Sequence, residues 1–190
     1  DYTIPEGTTG NLIYIANWGI VDYTITYDYD GGMAPPVPNP GGYKTTDPTI
    51  NLNEPTREGY DFAGWTGSNG LTPQTGVSIP TGSTWDKNYT AHWDPLTYAI
   101  TYDYHGGTPT SPEKLNYDIT ETSFQIINEP ILADSIFVGW TGSNGTIPEL
   151  VINVPAGTTG NLAYEAHWSY QFPADTIHVF DPPRNLHTGQ

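Results

Sequence analysis

Acidic residues beside a pair of glycines are the first feature of this sequence that could do chemistry. Asp28 and Asp30 precede Gly31 and Gly32 in the stretch YDYDGG, and calcium prefers several carboxylate oxygens gathered around a glycine turn. A later stretch reads YDYHGG, with His105 at a ligand position, and no glutamate stands at the twelfth position of the loop. We therefore interpret the stretch as a hairpin turn and predict no metal site.

Histidine is the second residue type that could act as a base. His92 and His167 stand in two similar segments, AHW, whereas Asn17 takes that place in the segment ANW. A histidine that asparagine can replace is better explained as a hydrogen-bonding side chain than as a general base. The sequence also has no Ser-His-Asp grouping, phosphate-binding glycine loop or zinc spacing. We predict that the protein is not an enzyme and has no catalytic residue and no cofactor.

The elements that carry these residues belong to an internal repeat with an offset of 75 residues (140 minus 65, for Trp140 and Trp65). The heptapeptide GWTGSNG occupies 64–70 and, letter for letter, 139–145. A regular internal repeat indicates one structural unit used in tandem. The predicted organisation is the end of an incomplete unit at 1–18, complete units at 19–93 and 94–168, and a non-repeating tail at 169–190.

Charge and composition exclude several classes of partner. The 190 residues include no cysteine, so no disulfide can stabilise units that are near the lower size limit for a single core. Five lysines and arginines against 21 aspartates and glutamates give a net charge of −16, which repels phosphate backbones and anionic membranes. We predict no nucleic-acid partner and, because no long apolar run occurs, no membrane insertion within this segment.

Alternating residue types predict an all-β fold. In 23–29, Tyr and Ile alternate with Thr and Asp, the period-two pattern of a half-buried strand. The 18 prolines and 21 glycines argue against long helices. We predict strands around 23–29, 49–53, 60–65, 76–79 and 88–93, with equivalents 75 residues later. The segments 33–46 and 108–121 differ most between the copies, and we interpret them as surface connections.

Tryptophans recur at fixed places in the repeat. Five of the six recur in this way, and large aromatic side chains are what a small domain without cysteine needs in its core. The predicted core residues are Trp18, Trp65, Trp93, Trp140 and Trp168 with Tyr14, Tyr89 and Tyr164. The alternative is a platform for stacking sugar rings. Trp85 differs from the others because its counterparts are Gly10 and Gly160, so we predict that it is an exposed contact residue.

Three segments of the first complete unit carry a family resemblance: YTITYDYDGG at 23–32, EPTREGYDFAGW at 54–65 and YTAHW at 89–93. They resemble the Listeria–Bacteroides repeat, the internalin-type B-repeat, and the resemblance covers residues 1–168. In the second unit the segment PILADS at 130–135 departs from the pattern. The resemblance implies β-grasp-like modules in an elongated tandem array within secreted or cell-surface bacterial proteins. It supplies no catalytic residues.

Two classes of function follow. The leading hypothesis is a stalk, spacer or adhesion module of a bacterial surface protein, with a receptor protein as partner. The rival is an extracellular filament, in which a neighbour's C-terminal region completes the broken first unit head to tail. The strands that would take part contain Ile4, Tyr14, Ile177 and Val179. A third hypothesis is a carbohydrate-binding module centred on Trp85, with a glycan as partner.

Overall fold

The computed structural model describes residues 3–170 and divides the chain into two compact units, each containing one complete repeat. The described residues form strands, turns and connections and contain no helix. The prediction of an all-β fold built from tandem repeats is therefore confirmed. The similarity to the β-grasp fold stays a prediction.

The first unit contains seven strands. Their bounds are β1 Asp22–Asp28, β2 Gly42–Lys44, β3 Ile50–Asn51, β4 Tyr60–Gly67, β5 Gly70–Gln74, β6 Ser78–Ile79 and β7 Lys87–Pro95. Five of them form one sheet in the order β2-β1-β7-β4-β5, while β3 and β6 form a separate antiparallel pair. β7, the last strand along the chain, lies at the centre of the sheet, parallel to β1.

The second unit repeats this arrangement. Its strands are β8 Thr97–Asp103, β9 Asn116–Asp118, β10 Phe124–Ile126, β11 Ser135–Gly142, β12 Gly145–Glu149, β13 Ile152–Val154 and β14 Leu162–Tyr170. The sheet order β12-β11-β14-β8-β9 again places the last strand at the centre, parallel to the first, and β10 pairs with β13. Identical topology in the two units follows from their shared pattern of strands and turns.

Each unit is built around one fully buried tryptophan. Trp65 and Trp140 are 0% exposed. Phe62 packs edge-on against Trp65 with ring centroids 5.3 Å apart, and Phe137 does the same against Trp140 at 5.3 Å. Aromatic pairs in this geometry add to the free energy gained from burial alone. The remaining fully or largely buried residues of the first core are Ile25, Tyr43, Leu52, Val77, Ile79, Tyr89 and Ala91.

The strand β2 corrects the interpretation of 33–46 as a surface connection. Tyr43 in β2 is 5% exposed and Tyr117 in β9 is 3% exposed, so both belong to the cores. They lie 74 positions apart (117 minus 43), whereas Asn53 and Asn128 again lie 75 apart. The second unit has lost one residue before β9 and regained one after β10, and a constant offset therefore aligns Tyr43 with the wrong residue.

The repeated heptapeptide forms a hairpin in each unit. β4 ends at Gly67 and pairs with β5 from Gly70 onward. The side-chain amide of Asn69 donates to the carbonyl of Trp65 at 2.7 Å, and Asn144 makes the same bond in the second unit. Pro73 in β5 removes one backbone donor from the exposed edge of the sheet, which discourages pairing with other chains.

Gly32 has a packing role that composition alone does not reveal. A Cβ atom at Gly32 would lie 2.4 Å from Cζ2 of Trp93, and one at Gly107 would lie 2.4 Å from Cζ2 of Trp168. The indole N–H of Trp93 donates to the carbonyl of Tyr29 at 3.0 Å, which holds the ring over the turn. The glycine is therefore required for close contact between the turn and the last strand.

The two buried tryptophans differ in one hydrogen bond. The indole nitrogen of Trp140 donates to the carbonyl of Asn128 at 3.0 Å, whereas the buried indole nitrogen of Trp65 has no hydrogen-bond partner. In the first unit the side-chain amide of Asn39 donates to the carbonyl of Asn53, the counterpart of Asn128, at 3.0 Å. The carbonyl that the indole would use is therefore occupied by another donor.

Phenylalanine at these two positions should have unequal effects. Trp140→Phe removes a buried hydrogen bond, whereas Trp65→Phe removes a buried N–H group that lacks a partner. Both variants leave a similar cavity, so we expect Trp140→Phe to lower the unfolding free energy of its unit by roughly 1 to 3 kcal/mol more than Trp65→Phe does. Hydrogen exchange followed by mass spectrometry, on peptides from β4 and β11, measures the two units separately. An equal or larger loss in the first unit would contradict the explanation.

Candidate functional site

The acidic loop at Asp28 is a turn stabilised by its own side chain. The Asp28 carboxylate accepts the backbone N–H of Asp30 at 2.9 Å, and Asp103 accepts that of His105 at 2.9 Å. Within residues 3–170, no three His, Cys, Asp or Glu side chains are grouped closely enough to hold a metal ion. The carboxylate in each copy therefore stabilises the tight turn that follows the first strand of the unit.

The two repeated histidines each contact a threonine. Nε2 of His92 lies 2.7 Å from Oγ1 of Thr66, and Nε2 of His167 lies 2.7 Å from Oγ1 of Thr141. The threonines stand on β4 and β11, beside the strands that carry the histidines. Each pair thus joins two neighbouring strands, which fits the interpretation of these histidines as hydrogen-bonding side chains.

The predicted core aromatic residues of the two complete units lie in or against their cores. Trp65, Trp140, Tyr89 and Tyr164 are buried, and Trp93 and Trp168 are partly buried and pack against the same clusters. These six side chains are thus part of the hydrophobic cores, which leaves the two fully buried tryptophan rings unavailable as platforms for a ligand.

The incomplete unit places its aromatic residues differently, which corrects the prediction for two of them. Trp18 is 91% exposed, Tyr14 is 58% exposed and Ile4 is 51% exposed, and no strand is formed between residues 3 and 21. In a complete unit the matching strand lies between the first and fourth strands, and 1–18 contains neither. Ile177 and Val179 lie outside the described residues.

Trp85 lies in an exposed loop between β6 and β7. Its side chain is 76% exposed, and its backbone has a φ of 72°. Gly10 and Gly160, at the same place in the repeat, have φ angles of 102° and 89°. The loop therefore requires a left-handed backbone at this position, and in the first complete unit that position holds a tryptophan.

Three contacts fix this loop against the rest of its unit. The hydroxyl of the buried Tyr43 donates to the carbonyl of Trp85 at 2.7 Å. The Asp86 carboxylate accepts the backbone N–H of Thr24 at 2.7 Å, and the backbone N–H of Gly82 donates to Thr45 at 2.9 Å. The hydrogen bond from Thr24 lowers the pKa of the Asp86 carboxyl below its usual range. The loop is consequently anchored on both sides of Trp85.

Sequence reasoning identified Trp85 but missed the residues that position it. Tyr43 lay in the segment interpreted as a surface connection, and Asp86 was not singled out. The left-handed backbone could have been predicted, because glycine at the two equivalent positions is the usual sign of a positive φ. The described residues together define a tandem β-repeat protein with one exposed, well-anchored aromatic residue.

This chain belongs to the Listeria-Bacteroides repeat domain family. The family model matches residues 23–91 and 98–163, one match in each complete repeat. The predicted resemblance is therefore confirmed. The family is a structural repeat family.

Two proteins of Evansella cellulosilytica are similar to this chain. One, provisionally named a Gly-rich membrane protein, is 28% identical over 135 residues, which cover 68% of this chain and 14% of that protein. The other, provisionally named a membrane protein, is 28% identical over 139 residues, which cover 71% of this chain and 19% of that protein. The chain thus spans less than a fifth of either relative.

No solved structure matches this chain. Between residues 3 and 170 there is no helix with the length and hydrophobicity to cross a membrane.

The contact between Asp86 and Thr24 predicts a pH dependence that the second unit lacks. There Asn161 accepts the backbone N–H of Ala99 at 2.9 Å, so an uncharged amide makes the equivalent bond. A carboxyl whose pKa is lowered by folding contributes stability above its unfolded pKa, about 4, and loses it as the pH falls through the folded value. Acidification below about pH 4 should therefore weaken this contact in the first unit only.

Asp86→Asn should make the acid-induced loss of stability shallower, and Asn161→Asp should make it steeper. Urea unfolding midpoints measured between pH 7 and pH 2.5 would test this, with each variant compared with the unaltered chain. If Asp86→Asn leaves the slope unchanged, the carboxylate of Asp86 does not contribute through this hydrogen bond.

Proposed function

We propose that this chain is a structural segment of a bacterial surface protein, acting as a stalk, spacer or adhesion module. The observation that carries the proposal is that one cysteine-free β unit with its own aromatic core occurs twice in tandem. Independent cores let such units be added or removed without unfolding their neighbours. Repetition of this kind suits a protein whose length or number of contacts matters more than any single site.

Charge and relatives support a location outside the cell. The net charge of −16 keeps a chain soluble and separate from anionic polymers. The two relatives are provisionally named membrane proteins, and this chain matches only a small part of each. In the proposal, the repeats stand between other parts of a longer protein and the cell surface.

Surface exposure of the parent protein in the bacterium that makes it tests the proposed location. Antibodies against residues 22–168 should label intact cells, and proteinase K added outside should remove the signal while a cytoplasmic marker survives. Labelling that appears only after the cells are broken would overturn the proposal.

Replacement of residues 22–168 by an unrelated β-repeat of equal length would distinguish a spacer from an adhesion module. Adhesion of the cells should be unchanged if the segment is a spacer and should be lost if it is the adhesion module.

The exposed apolar residues before β1 favour a second candidate function, self-assembly by strand complementation. Ile13 is 86% exposed, Ile15 is 80% exposed and Trp18 is 91% exposed. Apolar side chains this exposed in one short segment are typical of an interaction surface. In this proposal the segment forms a strand with a neighbouring molecule and extends into a filament. The strand would cover Tyr14 and Trp18, whose counterparts in the complete units lie in or against the core.

Light scattering and negative-stain microscopy across a wide concentration range test the second candidate. The chain should form threads whose length grows with concentration, and Tyr14→Lys should prevent them, because the counterparts of Tyr14 are buried in the complete units. Leu71→Lys is the matched control, because Leu71 is 97% exposed on the edge strand β5 and lies outside the segment. A monomer at every concentration, or equal loss of threads in both variants, would exclude assembly through this segment.

A further inference from the structure

Trp85 occupies a backbone position that the fold otherwise gives to glycine. In the described part of the chain, the other non-glycine residues with positive φ are Asp30, His105 and Asp134. Aspartate and histidine tolerate the left-handed region, whereas a bulky residue there is an outlier. The left-handed conformation raises the free energy of any residue with a Cβ atom, so the backbone favours glycine at position 85.

Packing does not favour tryptophan at position 85 either. The ring is 76% exposed, in contrast to the fully buried Trp65 and Trp140. An exposed ring gains little from burial and leaves a large apolar face in contact with water. Because neither the backbone nor the core favours this residue, the remaining physical reason for it is a contact outside the unit. Strained positions of this kind cluster at binding sites.

The surroundings of Trp85 identify the class of ligand. Asp86 carries a negative charge, and the Lys87 ammonium donates to the carbonyl of Thr84 at 2.8 Å, so opposite charges lie within one loop. The loop thus carries one charge of each sign, which favours neither a cationic nor an anionic partner, and the net charge of −16 disfavours a polyanion. A flat apolar ring, with the hydroxyl of Thr84 and the carboxylate of Asp86 on the adjacent residues, suits a neutral ligand with an apolar face and many hydroxyl groups.

We propose that Trp85 is the platform of a binding site for a neutral saccharide. In the proposal the apolar face of a sugar ring stacks on the exposed indole, and the adjacent residues Thr84 and Asp86 bind the hydroxyl groups. The hydrogen bond from Tyr43 and the bond between Asp86 and Thr24 hold the loop in place before the ligand arrives. Such preorganisation reduces the entropy lost on binding. This site is independent of the spacer role proposed for the repeats.

The experiment uses the full chain and Trp85→Gly, which restores the glycine of the other two copies. The first readout is thermal stability. Since the substitution relieves a strained backbone and removes an exposed ring, we expect the melting temperature of the first unit to rise by roughly 2 to 5 °C. Gly160→Trp, the reverse change in the second unit, should lower the melting temperature of that unit. No rise in Trp85→Gly would remove the argument from strain and overturn the proposal.

The second readout is binding. Neutral oligosaccharides of glucose, xylose, mannose, galactose and N-acetylglucosamine, four to six units long, are titrated while the indole N–H signals are followed by nuclear magnetic resonance. At least one should shift the Trp85 signal with a Kd on the order of 1 mM, typical of a small single-platform contact. Trp85→Gly should weaken binding at least tenfold.

Trp18→Ala is the matched control, because Trp18 is even more exposed, at 91%, but has no anchored loop around it. Binding should be unchanged in that variant. The proposal is overturned if no saccharide shifts the Trp85 signal at about 10 mM, if both variants lose binding equally, or if a lysine- and arginine-rich peptide binds at Trp85 and the saccharides do not.

Discussion

Complete burial of one tryptophan is the constraint on which the rest of each unit depends. A unit of this size without cysteine has neither a disulfide nor a second core to stabilise it. The indole ring fills the centre of the sheet's buried face, and Phe62 and Tyr27 contact Trp65 with ring centroids 5.3 and 5.8 Å away. The repeated glycines of the hairpin allow the strands next to the tryptophan to approach closely, since a Cβ atom at Gly64 or Gly67 would lie within 2.4 Å of a neighbouring backbone atom.

The sheet order has a consequence for how a unit is completed. β7 comes last in the chain but lies between β1 and β4, so the centre of the sheet stays open until the final strand enters. The matching segment of the incomplete unit shows the opposite case, because residues 3–21 form no strand. Its exposed Tyr14 and Trp18 correspond to residues that lie in or against the core of each complete unit. If other residues of the same protein cover these side chains, the repeats form a simple tandem array. If a second copy of the chain covers them, the chains assemble into a filament.

Much of the fold could be predicted because strand alternation and an internal repeat are local and regular signals. The strands β1, β4 and β7 were found near their true bounds from residue type alone. β2 was missed because it is three residues long and lies among prolines and glycines. The second copy also lacks one residue before β9, so the constant offset did not align β2 with β9.

The hydrogen-bond partner of each buried indole could not be predicted from the sequence either. In the first unit the carbonyl of Asn53 accepts from the side chain of Asn39, and a contact of this kind depends on the folded loop. The counterpart of Asn39 is Glu113, which has no side-chain N–H to donate, and in the second unit the Asn128 carbonyl accepts from Trp140.

Comparison of equivalent positions in the two units distinguishes residues that the fold requires from residues that it only tolerates. Positions that are the same in both units, such as Trp65 and Trp140, are explained by the core they fill. At position 86 the aspartate and its counterpart Asn161 accept the same backbone hydrogen bond, so the difference is chemically small. At position 85 the difference is large, since glycine satisfies the backbone in both other copies and tryptophan strains it. A substitution that opposes the fold, adds nothing to the core and presents a wide apolar ring to solvent is better explained by binding than by structure. In the proposed site at Trp85, the repeats supply a common scaffold and specificity arises where one copy departs from it.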